Sequence, residues 1–154
     1  MRDFNDSDRN KKADRIRLGE NPANLPPEKL AGLEKAVKVS FQDGCLPCPA
    51  GWKIAKDNDV PRLAIGGVMD KLGLRVTGCQ LGFFRVDKTP YEGTASFEPG
   101  EQLKVELSDM DKNGSLTCSA VFDMARRLGM KPADISNAAN IMGLKIRQCQ
   151  LGCF

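Results

Sequence analysis

Apolar positions along the chain fall into two stretches that run through the same order of elements. In the first, Leu30, Leu33 and Val37 follow Pro26-Pro27 at helical spacing; in the second, Leu103, Leu107 and Met110 do so after Pro99-Gly100. The alternation in Val37 to Phe41 and in Leu103 to Leu107 fits a strand equally well. Asp43-Gly44 and Asn113-Gly114 then predict turns, each followed by a short Leu-x-Cys segment. In the second stretch Val121, Met124, Ala125 and Leu128 predict a helix over Ala120 to Leu128 that ends at Gly129. Pro132 opens a further helix, Ala133 to Met142, whose inward face is Ile135, Ala138, Ala139 and Met142. Gly143 stops it, and Leu144 to Arg147 alternates as a strand does. The first stretch supplies Trp52 to Asp57, a turn at Asp59 to Pro61, a helix to Leu72 and a strand from Leu74 to Thr77.

This parallel order has a direct cause: the chain contains an internal repeat. Gly44 to Phe84 aligns with Gly114 to Phe154 at a constant offset of 70 without a gap, and 13 of 41 positions are identical. Composition alone gives about three. The clearest matches are Gly73-Leu74 with Gly143-Leu144, and Cys79-Gln80-Leu81-Gly82 with Cys149-Gln150-Leu151-Gly152. Repeat one is therefore expected over residues 27–86 and repeat two over 97–154, with 87–96, which holds Pro90 and Gly93, as a linker. Residues 1–26 are rich in alternating charge and poor in apolar groups, so they predict a flexible charged tail.

Between the helices of each repeat, three positions carry a known spacing. Ala125, Gly129 and Ile135 place a small residue, then Gly four positions later, then an aliphatic residue six beyond; Ala55, Asp59 and Ile65 do the same with Asp in place of Gly. Ala lets two helices approach, Gly takes a left-handed turn, and the aliphatic side chain plugs the angle between the helices. This pattern resembles the helix-turn-helix family. A first helix, a short strand, the helix pair and a closing strand resemble its winged-helix elaboration. The resemblance implies a mainly α, α+β fold: tandem winged-helix-like three-helix units, each with a small β-sheet, packed as a pseudo-dimer. Gln-Leu-Gly would be the turn of each wing, and Phe83 to Val86 a return strand in repeat one.

The resemblance also implies DNA binding through the second helix of each pair. In repeat two, Lys131, Asp134, Ser136, Asn137 and Asn140 would face outward, followed by Lys145, Arg147 and Gln148 on the strand. Asn and Gln read adenine edges, Ser bonds either base or phosphate, and Lys and Arg neutralise phosphate. In repeat one Arg62, Lys71 and Arg75 are the counterparts, but Gly66 and Gly67 weaken that helix by about 1 kcal/mol each relative to Ala. Those glycines would instead admit another backbone at close range, from the sister repeat or a partner. Local net charge is +3 over residues 31–86 and +1 over 101–154, so the basic excess lies on the repeat with the poorer reader.

Composition narrows the function further. The 154 residues contain no histidine, which removes the commonest general base and every His-containing zinc site, so the chain reads as non-enzymatic. The N-terminus has no apolar stretch of signal-peptide length and no membrane-spanning run occurs, so a cytoplasmic protein without a membrane partner is expected. Six cysteines, Cys45, Cys48, Cys79, Cys118, Cys149 and Cys153, are unusual. Cys45-Leu46-Pro47-Cys48 has the spacing of a metal knuckle or redox pair, so zinc or an iron–sulfur cluster stands beside the simpler reading of packed thiols with no cofactor. These features converge on a DNA-associated, transcription-regulatory protein. The rivals are a protein–protein docking adaptor and a cysteine-based metal or redox sensor, and homodimerisation stays open.

Overall fold

A computed structural model describes residues 21–83 and 98–153. The chain is mainly helical, with helices α1 (Pro27–Ser40), α2 (Cys48–Asp57), α3 (Arg62–Leu72), α4 (Glu101–Lys112), α5 (Cys118–Leu128) and α6 (Pro132–Ile141). Strands β1 (Cys45–Pro47) and β2 (Arg75–Thr77) complete an α+β fold. It divides into two compact units. Unit 1 comprises Met1–Cys79 together with Gln150–Phe154, and unit 2 comprises Gln80–Cys149. The linker expected at 87–96 and the return strand expected beyond Phe83 lie outside the described residues. Of the expected tail, residues 21–26 are described and are folded: the Asn21 carboxamide accepts from the Leu25 N–H at 2.9 Å and donates to the Leu25 carbonyl at 2.8 Å.

In unit 1, α1 starts on Pro27, where a missing N–H costs nothing, and buries Leu33 and Val37. The ambiguity over Val37 to Phe41 resolves as helix: α1 continues to Ser40 and leaves Val39 on the solvent side. Asp43 and Gly44 then both take positive φ, 50° and 70°, and Gln42 and Cys45 exchange two backbone hydrogen bonds of 2.9 and 2.8 Å around them. This tight two-residue turn feeds β1, which pairs in parallel with β2 in the register Cys45–Arg75, Leu46–Val76, Pro47–Thr77. Between the strands, α2 and α3 form the helix pair. Ala55 and Ile65 are buried at their junction, and Asp59 holds φ 50° at the turn. The Val60 N–H reaches back to the Ala55 carbonyl, closing the end of α2 in the way glycine usually permits.

Unit 2 has the same elements at the same offset. Leu103 and Leu107 of α4 occupy the positions of Leu33 and Val37 and are likewise buried. Ala125 and Ile135 are buried between α5 and α6, and Gly129 takes φ 64° with the Met130 N–H bonded to the Ala125 carbonyl. The sheet shrinks to one parallel bridge, Thr117–Arg147, the counterpart of Pro47–Thr77. Thr117 instead caps α5, its hydroxyl accepting from the Ala120 N–H at 3.2 Å. The strand expected over Leu144 to Arg147 is therefore only this bridge. Both helices before the turns also begin earlier than the periodicity indicates, at Cys48 and Cys118, because the cysteines themselves occupy the first helical turn.

Candidate nucleic-acid interface

Helix α6 is positioned by its own sequence. Lys131 holds an extended backbone at the N-cap, Pro132 enters the first turn, and Ile135, Ala138 and Ala139 face the core. The helix presents Ala133, Asn137, Asn140 and Ile141 along its opposite face, at i, i+4, i+7 and i+8. Asn140 is exposed and Asn137 half-buried, with exposed Lys131 at the leading end and exposed Lys145, Arg147 and Gln148 after the helix. Ser136 is a correction. It is 3% exposed, beside Ala139 on the inner side, because the buried arc of α6 is wider than one stripe of aliphatic residues. It offers nothing to DNA. Arg147 is half committed as well: its guanidinium lies 2.9 Å from the Asp111 carboxylate of α4 and 3.3 Å from the Lys145 carbonyl.

The corresponding residues of unit 1 are still more occupied. Lys71 is ion-paired with Glu34 of α1. Arg62 lies over the Trp52 ring, 3.6 Å from its centroid, and donates to the Gln150 side-chain oxygen. Arg75 is half-buried on β2. The inner part of α3 faces protein rather than solvent. A Cβ on Gly66 would stand 1.9 Å from the Leu151 carbonyl oxygen, so this position admits a second backbone, as the glycine pair suggested. Leu151 is fully buried, and a Cβ on Gly51 would lie 3.3 Å from its Cδ1. Gln-Leu-Gly is thus an anchored turn rather than an exposed wing tip. The residues missed by sequence reasoning are Gly51, Gln150 and Leu151. For Gly51 the available signal was a departure from the repeat, since Gly51 and Gly66 align with Val121 and Ser136; Gln150 and Leu151 match Gln80 and Leu81 and carried no such signal.

None of the six cysteines is joined in a disulfide; Cys45, Cys48, Cys79 and Cys118 are buried and Cys149 and Cys153 half-buried. Cys48 and Cys118 open α2 and α5, and the parallel pairing sets Cys79 two residues beyond Thr77. Cys45 to Pro47 is extended, so Cys45 and Cys48 are separated by three strand steps, about 10 Å between Cα atoms. A disulfide needs less than about 7 Å, and a metal knuckle needs a turn here instead of a strand. Cys153 belongs to the same compact unit as Cys45, Cys48 and Cys79. Even so, among the described residues no group of three or more His, Cys, Asp or Glu is placed to hold a metal ion. No described helix is long and apolar enough to cross a membrane. Comparison with family models, with curated proteins and with solved structures finds no match to this chain.

Proposed function

We propose that the chain is a non-enzymatic, DNA-associated regulatory protein that contacts DNA through α6 of unit 2. The observation that carries this reading is the α5–α6 pair: a buried Ala125 and Ile135 around a left-handed Gly129 fix the second helix, whose open face carries Asn137 and Asn140. That packing and spacing support the resemblance to a helix-turn-helix. Exposed Lys131 precedes the helix and exposed Lys145 follows it, and phosphates flank a helix laid in the major groove. Unit 1 has the same framework but a covered α3, so the reading assigns contact with DNA to unit 2 alone.

Fluorescence anisotropy with mixed genomic fragments tests the proposal. Two lysine contacts give a slope of log affinity against log salt of about −2. Replacing Asn137, Asn140 and Lys145 together by Ala is expected to weaken binding about tenfold or more, at roughly 1–3 kcal/mol for each base-reading side chain. Absent or salt-insensitive binding overturns the proposal and leaves the docking adaptor as the better account.

A further inference from the structure

We propose that the recess on unit 1 is a separable docking site for a Gln-Leu-Gly turn, filled in cis by the chain's own residues 150–152 and by the same turn of a second copy, as a tail-exchanged dimer, once the cis path through Gln148 is blocked. The recess reads three consecutive features of the segment. Arg62, stacked on Trp52, meets the Gln150 side chain; Gly51 and Ile65 line the space that Leu151 fills; Gly66 admits the Leu151 carbonyl. A carbonyl oxygen 1.9 Å from where a Cβ would stand is an approach that any other residue blocks, so the site is shaped around a peptide backbone as well as a side chain. Main-chain contact plus a pocket for one apolar side chain is how peptide segments are recognised.

The occupant already comes from elsewhere in the sequence. Gln150 onward is the end of repeat two but belongs to unit 1, while Gln80 onward lies near the end of repeat one but belongs to unit 2, with Leu81 buried. In unit 1 the closing turn is therefore donated by the other repeat. Before the tail, the Arg147 N–H donates to the Leu116 carbonyl and the Arg147 carbonyl accepts from the Cys118 N–H, and the next residue, Gln148, has φ 54°. That left-handed value at a non-glycine residue is the pivot that sends the tail to unit 1; the equivalent residue is Gly78, with φ 56°. A second copy offers an identical tail to an identical recess. The two arrangements differ only in linkage, and a tethered tail competes at an effective concentration of about a millimolar, so the closed monomer dominates at micromolar protein. Exchange takes over when the pivot fails in cis, as with other hinge-altered proteins.

Gln148→Pro tests this in the full chain, because proline holds φ near −65° and excludes the pivot geometry. Light scattering at about 100 μM is expected to give a monomer for the unaltered chain and a dimer for Gln148→Pro. Adding Gly66→Val should return the dimer to monomer. A monomeric, folded Gln148→Pro chain overturns the proposal. A second measurement does not depend on that variant folding: anisotropy of a labelled synthetic peptide of residues 147–154. The Leu151→Asp chain, its own tail displaced, is expected to bind the peptide about tenfold or more tighter than the unaltered chain. Binding should be lost with Leu→Asp in the peptide or Gly66→Val in the chain. Failure of both the unaltered and the Leu151→Asp chains to bind, or equal binding of the altered peptide, overturns it.

Discussion

Gly66→Ala adds one methyl group to the middle of α3, where intrinsic propensity alone would reward it by about 1 kcal/mol. The structure reverses the sign. The added Cβ would meet the Leu151 carbonyl oxygen at 1.9 Å and its carbon at 2.9 Å, both backbone atoms that no rotamer change can move. If the tail stays, crowding of this kind costs about 1–3 kcal/mol. If the tail leaves, a fully buried Leu151 is lost to solvent, again about 1.5–3 kcal/mol, along with the Arg62–Gln150 contact. Less the propensity gain, the net destabilisation is about 0–2 kcal/mol if the tail stays and about 0.5–2 kcal/mol if it leaves. Gly32→Ala is the matched control, since it lies within α1 and its Cβ would meet nothing within 4 Å. It should stabilise by about 0.5–1 kcal/mol. Urea unfolding separates the two variants, with midpoints moving in opposite directions by several tenths of a molar at about 1–3 kcal/mol per molar. The single tryptophan, Trp52, lies under Arg62 at the rim of the recess, so its emission reports tail docking directly. A Gly66→Ala chain as stable as the unaltered one, with unchanged Trp52 emission, would refute the reasoning.

Two further outcomes follow from the turns and the thiols. Asp59→Gly should raise stability by about 0.5–1 kcal/mol, because Asp59 holds φ 50° where glycine carries no Cβ strain; a lowered thermal midpoint would count against the helix-pair turn as described. In native protein, Cys149 and Cys153 should react with a thiol reagent first and Cys45, Cys48, Cys79 and Cys118 slowly, with all six reacting together in denaturant. Six uniformly fast native thiols, or a Cys45–Cys48 disulfide after mild oxidation identified by peptide mapping, would contradict the buried, extended placement of Cys45 to Cys48.

Local rules carried the helices. Proline at the start of α1 and α6, glycine or aspartate after α2 and α5, and aliphatic residues at helical spacing between them were enough to place each helix within a few residues. The turn pair Asp43-Gly44 was equally legible, since few sequences tolerate two successive positive φ values. Ser136 was misplaced because small polar residues obey no strong burial rule: beside two alanines, a serine fits a tight inner face as readily as a surface. The strand expected at Leu144 to Arg147 alternates correctly but has only Thr117 opposite it, and a ladder depends on its partner as much as on itself. The seat of Gln-Leu-Gly was the least legible feature. Its leucine looks like any loop leucine until the glycines that receive it, far back in the chain, are brought alongside. The adjacent pair Gly66-Gly67 signalled close approach without identifying the segment that approaches.

The distance along the chain between that turn and its seat sets an order of assembly. The Arg62–Gln150 contact joins residues 88 positions apart, whereas the other hydrogen bonds described in unit 1 close loops of no more than 37. Loops of that length close late, since their entropy must be spent before the contact rewards it. On a ribosome, which releases the N-terminal region first, the repeat synthesised first would be the one completed last.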